Sequence, residues 1–384
     1  MPDDRPGIVE FELLCLAARP TPDLSRVRDT LRKGVDGHHL IEIAEYHGVR
    51  PSLFRCLSDL SWDAVPASAR EALEAFQHHH LVRTLALSDE LRRVAGLFAD
   101  RGIPIVTFKG LSLAVVLYGG LANRECNDID VIVSEGQIGE AERLLAQLGY
   151  RNEQGDENFR HAFLVHQRQY AFARADGSGA IDLHWDFSGI HVPFPLAPAD
   201  IWGDLARISI GDHHVATVGG VNLALLLAGH GTKEAWRALK WVCDFARMID
   251  RNPDLDWFDV HRRARQRRCG DSVLLGCALA QDLLDVAVPR DLADLVARSS
   301  RVRSLAASLA GHMRLGVLPT APGENFTDLA LCDGRLDRVK SALKLIFTPT
   351  AGDYEAMKLP STLWSAYYVT RPFRLAVKAV AALR

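Results

Sequence analysis

The sequence predicts a mixed α+β protein in which a small mixed sheet with helices lies between all-helical N-terminal and C-terminal regions. Apolar residues recur at spacings of three and four through residues 8–97 and again from residue 222 onward, as they do in amphipathic helices. Between these regions, residues 104–187 contain short apolar or alternating runs separated by turn residues, which are typical of strands. A strand–helix–strand opening followed by antiparallel strands indicates a mixed sheet.

The predicted elements of the central region follow one another closely. They are a strand at 104–108, a helix at 110–117, a strand at 128–133, a helix at 136–148 that ends at a glycine, a hairpin of 161–166 with 169–174, and a strand at 180–187. The proline-rich stretch 192–198 is interpreted as a linker.

These patterns divide the chain into four predicted regions. They are an N-terminal helical region at 1–98, an α/β core at 99–190, a C-terminal helical region at 191–347 and a basic amphipathic tail at 348–384. We expect the tail to pack on the body, although its composition also suits contact with an anionic membrane surface or a partner peptide.

Two carboxylates, Asp128 and Asp130, stand two residues apart at the start of an apolar strand. Because side chains alternate along a strand, both carboxylates share one face with Ile132, and the other apolar residues of the strand lie on the packed face. Like charges roughly 6–7 Å apart repel one another, and a bridging cation removes that cost. The pair predicts a site for a hard divalent ion, Mg²⁺ or Mn²⁺, and phosphate chemistry. The alternative is a pair of turn residues on a solvated face.

A second strand with an acidic face is predicted at 180–186, where Asp182, His184 and Asp186 alternate with apolar residues. If this strand pairs beside the first, Asp182 completes a three-carboxylate cluster of the kind that holds two metal ions about 3.5–4 Å apart. His184 points to the same face, either as a direct participant or as a residue that orients the ligands.

A basic face is predicted in the helical segment 230–246. On an ideal helical wheel, one arc of about 100° contains His230, Lys233, Arg237, Lys240, Trp241 and Asp244. A basic face beside an acidic metal site suits a triphosphate. The alternative is a solvated face on which Lys240 and Asp244 form an i,i+4 pair. We expect the neighbouring glycines, Gly229 and Gly231, to interrupt the helix near His230.

Composition indicates an ordinary globular protein. The 384-residue chain is 48% hydrophobic and has a formal net charge of −3, which argues against a surface built throughout to bind nucleic acid. Its seven cysteines are scattered and never form a C-x-x-C pair, which indicates reduced thiols. The sequence shows neither a signal-peptide pattern nor a long uncharged run. We therefore expect a cytoplasmic protein without stable membrane insertion.

Several different short motifs lie along residues 105–245. They are Phe108-Lys109-Gly110, Tyr118, Arg124, Asp128-Ile129-Asp130, Gly149-Tyr150, Ile181-Asp182-Leu183-His184-Trp185, His230 with Lys233, and Trp241 with Asp244. Together they resemble a little-characterised bacterial nucleotidyltransferase family of the polymerase-β-like nucleotidyltransferase superfamily. The chain departs from the superfamily pattern at the glycine turn, because Lys109-Gly110 lies farther upstream of the first aspartate than usual and has no serine beside the glycine.

The resemblance implies a polymerase-β-like fold and a Mg²⁺-dependent enzyme that transfers a nucleoside monophosphate from a nucleoside triphosphate such as ATP to an acceptor hydroxyl or phosphate. It implies catalytic metal ligands at Asp128, Asp130 and Asp182, with Asp182 as a candidate base. Nucleotide contacts are expected from Lys109, Gly110, Arg124, Lys233, His184, His230 and Lys240, with the backbone N–H groups after Gly110 as an anion seat.

The acceptor is left open by the sequence: a ribosomal peptide of the lasso type, as the family's gene neighbourhoods imply, a small molecule, or tRNA for a toxin-like enzyme. A non-catalytic nucleotide- or peptide-binding protein that kept the fold is the alternative from a different class. The intact aspartates argue against it, because a decayed site usually loses its clustered charges. The motifs of P-loop kinases and of serine hydrolases are absent from the sequence. The oligomeric state is not indicated.

Overall fold

The computed structural model describes residues 8–153, 167–175, 177, 179–189, 193–211, 213–315 and 334–382. These residues form an N-terminal helical layer, a seven-stranded mixed sheet, a second group of helices and a C-terminal helical unit. The predicted α+β class, with a mixed sheet between helical regions, is confirmed.

The N-terminal layer consists of five helices. They are α1 (Ile8–Ala18), α2 (Leu24–Leu31), α3 (Gly37–His47), α4 (Arg50–Asp59) and the long α5 (Ala67–Asp100). The carboxylates of Asp23 and Asp36 accept backbone hydrogen bonds at the starts of α2 and α3, which stabilises these helix ends.

His47 connects this layer to the C-terminal helices. Its ring is buried, and the backbone N–H of Leu239 donates to its Nδ1 at 3.2 Å. Burial lowers the pKa of His47 to about 4. The imidazole is therefore neutral at pH 7, and protonation of Nδ1 would remove this hydrogen bond.

The sheet contains seven strands in the spatial order β3-β4-β5-β2-β1-β7-β6. The strands are β1 (Val106–Thr107), β2 (Ile129–Ile132), β3 (Tyr150–Asn152), β4 (Gln169–Arg174), β5 (Ala180–His184), β6 (Leu205–Ile210) and β7 (His213–Val218). The pairs β2–β5 and β1–β7 are parallel and the other pairs are antiparallel. The sheet continues past residue 190, because the hairpin of β6 and β7, which the sequence did not predict, adds two strands to it.

The predicted hairpin at 161–174 and the predicted linker at 192–198 can be compared with the structure only in part. The second strand of the predicted hairpin is β4, whereas its first strand at 161–166 lies outside the described residues. The interpretation of 192–198 as a linker is wrong for the part that the structure describes. Phe194 and Leu196 are buried in the core, and the Phe194 ring stacks on Phe187 with ring centroids 5.6 Å apart.

The remaining helices of the body follow and flank the strands. They are α6 (Gly110–Tyr118), α7 (Ile138–Gln147), α8 (Pro198–Ile201), α9 (Gly220–Lys233), α10 (Leu239–Arg251), α11 (Trp257–Gln266), α12 (Gly270–Leu284), α13 (Arg290–Arg298) and α14 (Ser300–Leu315). Short 3-10 turns at Leu121–Asn123 and Glu135–Gln137 lie on either side of β2.

The core consists of two hydrophobic clusters, one on each face of the central strands. Ile129 and Val131 of β2 belong to the cluster that includes α5 and α7, and Ile132 belongs to the cluster that includes the N-terminal layer and α9 to α12. The predicted alternation along β2 is confirmed. The face that carries Asp130 therefore looks toward the helices and not toward open solvent.

The C-terminal unit contains α15 (Arg335–Phe347), α16 (Ala351–Ala356), a 3-10 turn (Ser361–Ala366) and α17 (Tyr367–Ala382). Helix α15 packs against α17, so the predicted tail forms a unit together with the helix that precedes it. Among the described helices, none is both long and apolar enough to cross a membrane.

Candidate functional site

The parallel pairing of β2 with β5 places two of the predicted carboxylates side by side. Asp130 is the register partner of Asp182, and Ile132 is the partner of His184. Asp130, Asp182 and His184 each offer one ligand atom, and these atoms all lie within 4.8 Å of one another. Within the described part of the chain, this group does not include Asp128.

Asp130 lies at the centre of the site and is already well bonded. The Nζ of Lys109 donates to its Oδ1 at 2.9 Å, and the Nε2 of His184 lies 3.1 Å from the same oxygen. Burial opposes the charged form of Asp130, but Lys109 and His184 hold the pKa of this carboxyl well below its usual range. Asp130 is therefore an ionised carboxylate that can only accept hydrogen bonds.

The state of His184 follows from this contact. Burial, with Lys109 nearby, lowers the pKa of His184 to about 4, so the ring is neutral at pH 7. A neutral imidazole facing an ionised carboxylate must carry its proton on Nε2 and donate it. The hydrogen bond fixes the orientation of Asp130 and leaves Nδ1 of His184 without a proton.

Asp128 and Asp182 differ from Asp130, because neither carboxylate has a hydrogen-bond or ion-pair partner among the described residues. Burial and the charge of Asp130 raise the pKa of Asp128. Burial and the charges of Asp130 and Asp128 raise the pKa of Asp182 to about 6. Partly buried carboxylates without a partner among the described residues destabilise a fold unless a cation binds them.

Gly110 allows α6 to begin close to the loop that carries Asp128. Its φ is +45°, and a Cβ at this position would lie 2.9 Å from the Sγ of Cys126 and 3.2 Å from the backbone O of Asp128. A glycine is therefore required, because other residues rarely adopt this conformation and would clash with the loop. The Lys-Gly motif thereby places Lys109 against Asp130.

Lys233 contributes a cation with no ion-pair partner among the residues that the structure describes. Burial and the nearby Lys109 lower the pKa of Lys233, whereas Glu234, Asp130 and Asp182 raise it. Its ammonium group thus lies within electrostatic range of the carboxylates. This is the arrangement expected of a group that binds a further anion.

The prediction that 230–246 forms one helix is wrong. Helix α9 runs without interruption through Gly229 and Gly231 to Lys233, and α10 begins at Leu239. The intervening Ala235 and Trp236 have positive φ values of 53° and 49°. His230, Lys233 and Lys240 therefore lie on two helices and do not share one helical face.

His230 and Lys240 flank the ring of Trp241. The ring centroids of His230 and Trp241 are 6.3 Å apart, and Nζ of Lys240 lies 4.6 Å from the centroid of Trp241. Burial and the charges of Lys109 and Lys233 keep the pKa of His230 well below its usual range, so this ring is neutral. The pKa of Asp128 is raised by burial and by Asp130, and the positive charge of Lys240 partly opposes this rise.

Arg124 is fully engaged by a carboxylate. Its Nε and Nη2 donate to Oδ1 and Oδ2 of Asp244, both at 2.8 Å, and the hydroxyl of Tyr118 donates to Oδ1 of Asp244 at 2.8 Å. Arg124 and Asp244 are both buried. The carboxylate of Asp244 thus pairs with Arg124. The alternative that Lys240 and Asp244 form an i,i+4 pair on a solvated face is wrong.

Two ion pairs around the site were missed by sequence reasoning. Arg50 donates to both carboxylate oxygens of Glu125, the residue after Arg124, at 3.1 and 2.8 Å. Arg168 donates to Asp186 at 2.6 Å, so this third acidic residue of the β5 segment is already paired. No local pattern signals either pair, because the partners are far apart in the chain.

The geometry agrees with a comparison of the sequence with known families. The sequence model of a family described as uncharacterised nucleotidyltransferase matches residues 33–285. The chain belongs to this family. No curated protein matches the chain in sequence.

The match extends from the N-terminal helices of this nucleotidyltransferase family member to the end of α12. It includes every predicted site residue and excludes α1, α2 and the C-terminal unit. A nucleotidyltransferase family accounts for a site in which carboxylates lie near Lys233, a cation without an ion-pair partner in the described part of the chain.

Proposed function

We propose that the protein is a metal-dependent nucleotidyltransferase that transfers a nucleoside monophosphate from a nucleoside triphosphate to a hydroxyl or phosphate acceptor. The observation that carries the proposal is the register of Asp130 with Asp182. Lys233, which has no ion-pair partner among the described residues, lies within electrostatic range of both carboxylates. The unpartnered carboxylates of Asp128 and Asp182 support the same assignment, since a bound cation would offset the cost of burying them.

The donor set fits a divalent ion of the Mg²⁺ or Mn²⁺ type. Carboxylate oxygens from Asp130 and Asp182, which lie in one group, would hold it, and oxygen ligands are those that both ions prefer. We assign Asp128 as a further ligand, because its carboxylate lies close enough to Asp130 for the charge of Asp130 to raise its pKa. We assign His184 to orienting Asp130, because its Nε2 proton is used in that hydrogen bond. When bound, the ion neutralises charge on the phosphates and favours deprotonation of the acceptor.

The side chains of the protein then have separate tasks. Lys233 and the N–H groups at the start of α6 hold phosphate oxygens, and His230 and Lys240 border the nucleotide. A carboxylate oxygen of Asp182 takes the proton of the acceptor hydroxyl, whose oxygen bonds to the α-phosphorus while the bond from the α-phosphorus to pyrophosphate breaks, and pyrophosphate leaves. Lys109 keeps Asp130 ionised and in place, and is a second candidate phosphate contact. We assign Arg124 to positioning the loop before β2, since Asp244 occupies its donors.

Asp182→Asn tests the assignment. Because the change is close to isosteric and the first two aspartates remain, we expect nucleotide affinity within a few-fold of the wild type and turnover lower by roughly 10²–10⁴. Affinity is measured by titration calorimetry with Mg²⁺-ATP and the other triphosphates. Transfer is measured with α-³²P-labelled nucleotides and an extract of peptides, small molecules and tRNA as acceptors.

Asp186→Asn is the matched control, since Asp186 lies on the same chain segment and is paired with Arg168. It should keep wild-type turnover. Loss of turnover in Asp186→Asn with full activity in Asp182→Asn would make Asp186 the third carboxylate. Binding of nucleotide by the wild type without transfer to any acceptor fraction would instead support a nucleotide-binding protein that kept the fold.

A further inference from the structure

Large apolar side chains on the surface are concentrated in the C-terminal unit. Of the fifteen exposed large hydrophobic residues in the described part of the chain, eleven lie within residues 334–382. The other four, Leu81, Val82, Leu85 and Phe258, lie on the much longer remainder of the described chain, so exposed apolar residues are far denser in this unit. Surface apolar residues that occur singly need no explanation, but a contiguous set marks a contact surface.

On α15 the exposed apolar residues form one stripe. Leu336, Val339, Leu343 and Phe347 follow one another at spacings of three or four residues, and Leu336 is 75% exposed. The opposite side of the helix faces the unit, because Ser341 on that side is buried. The stripe is therefore the outer face of α15.

A second apolar stripe lies on α17. Val369, Phe373 and Val377 are 63%, 70% and 69% exposed and recur every four residues. Phe373 and Val377 also line a groove of about 390 Å³ together with Met357. Both long helices of the unit therefore present apolar residues to the outside.

The unit has its own internal connections, so the exposed stripes do not result from an unfolded segment. Asp353 is buried and accepts hydrogen bonds from Arg371 and Arg374, each at 2.6 Å. The hydroxyl of Tyr367 donates to the backbone O of Met357 at 2.5 Å. These contacts connect α16 to α17, and Arg371 also donates to the backbone O of Leu345 on α15 at 2.9 Å.

The charge of the unit is opposite to that of the whole chain. Residues 334–382 contain eight lysine and arginine residues and three aspartate and glutamate residues, whereas the whole chain has a net charge of −3. The exposed Lys340 and Lys344 border the α15 stripe, and Lys378 is exposed on α17. Lysines beside an apolar stripe can extend their stems along it and place the ammonium groups at its border.

We propose that residues 334–382 bind the surface of a membrane that contains anionic lipids. The apolar stripes would enter the boundary between headgroups and acyl chains, and the lysines would contact the lipid phosphates. A second copy of the unit carries the same positive charge and is repelled. A nucleic acid would contact the lysines but leave the apolar stripes in water. The surface lies outside the family match at 33–285, and the proposal does not depend on the transfer activity.

The test is sedimentation of the full-length protein with vesicles of phosphatidylcholine alone and of phosphatidylcholine mixed with phosphatidylglycerol. We expect binding to the anionic vesicles only, and weaker binding as salt is added, because salt screens the lysine contacts. Leu336→Ser combined with Phe373→Ser should lower binding about tenfold or more. Lys340→Glu combined with Lys344→Glu should lower it by a similar factor.

Phe258→Ser is the matched control, because Phe258 is 59% exposed on α11 and lies outside the unit. It should bind as the wild type does. The proposal is overturned if the wild type does not bind anionic vesicles at low salt, binds neutral vesicles equally well, or loses as much binding in the control as in the paired variants. It is also overturned if light scattering shows a dimer that Phe373→Ser dissociates and no vesicle binding occurs.

Discussion

Replacing Arg124 with methionine should destabilise the protein, because it leaves the buried carboxylate of Asp244 without its counter-ion. The side chains of Arg124 and Asp244 are 9% and 1% exposed, and their shortest N–O distance is 2.8 Å. Burial opposes the charged guanidinium, but the Asp244 carboxylate raises the pKa of Arg124 further above its usual range. The guanidinium of Arg124 is therefore positively charged at neutral pH.

The magnitude follows from the burial of the pair. Removing one partner of a buried ion pair costs about 3–5 kcal/mol, because the remaining charge is uncompensated. The Tyr118 hydroxyl still donates to Asp244, so we expect about 3 kcal/mol, which raises the unfolding equilibrium constant roughly a hundredfold. Urea denaturation followed by circular dichroism measures this loss.

The double variant Arg124→Met with Asp244→Asn separates a structural role from a phosphate contact. Asparagine keeps the acceptor for Tyr118 and removes the uncompensated charge, so the double variant should regain about 1–2 kcal/mol relative to the single variant. Nucleotide affinity, measured by calorimetry at a temperature where each variant is folded, should also return to near the wild-type value.

Two results would refute this reasoning. A double variant that is folded but no longer binds Mg²⁺-ATP would show that Arg124 contacts phosphate, as the sequence resemblance implied. An unchanged urea midpoint in Arg124→Met would show that the pair does not stabilise the fold.

Three further predictions concern the charge, the backbone and the pH dependence of the protein. Lys233→Met should weaken triphosphate binding and flatten its salt dependence, because a charge contact to phosphate is lost. Lys358→Met, a change at an exposed lysine, should alter neither. Calorimetry at several salt concentrations measures both quantities, and equal affinities for the two variants would contradict a phosphate contact by Lys233. Gly110→Ala should destabilise the fold by about 1–2 kcal/mol or more, because the residue at this position has a positive φ. The control is Gly96→Ala, which should stabilise α5 by about 0.5–1 kcal/mol because a Cβ at Gly96 would meet nothing within 4 Å. Equal urea midpoints for the two variants would show that the backbone at Gly110 does not require glycine. Burial lowers the pKa of His47 in the folded protein, so the unfolded chain binds a proton at higher pH and the free energy of unfolding should fall as the pH decreases from 6.5 to about 4. His47→Asn should show a smaller loss of stability over this pH range. An identical pH profile for the variant would show that His47 is not responsible for the loss.

Local patterns in the sequence were sufficient for the elements that carry the carboxylates. The alternation of side chains predicted which face of β2 carries Asp130, and the same rule placed Asp182 and His184 together on β5. The β6–β7 hairpin was missed although its signal is local: in the sequence the two strand segments are separated only by Gly-Asp, a pair that favours tight hairpin turns.

The break between α9 and α10 is different, because no local signal marks it. Ala235 and Trp236 are not residues that favour positive φ. Their conformation places the Trp236 ring over Gly231 and Gly276, where a Cβ would lie 2.6 and 2.9 Å from the ring atoms. The glycine predicted to interrupt the helix instead provides space for a tryptophan, which only the packing of α9 against α12 reveals.

The sequence by itself determined the kinds of charge at the site and the faces on which they lie, because strand alternation depends only on neighbouring residues. It did not determine which charges pair. Arg124 and Asp244 are 120 residues apart, and their pairing depends on how α10 packs beside the loop before β2. The tertiary structure alone decided that Arg124 is occupied, that Lys233 has no ion-pair partner among the described residues, and that Asp130 is bonded to Lys109 and His184, because each of these follows from contacts between distant segments.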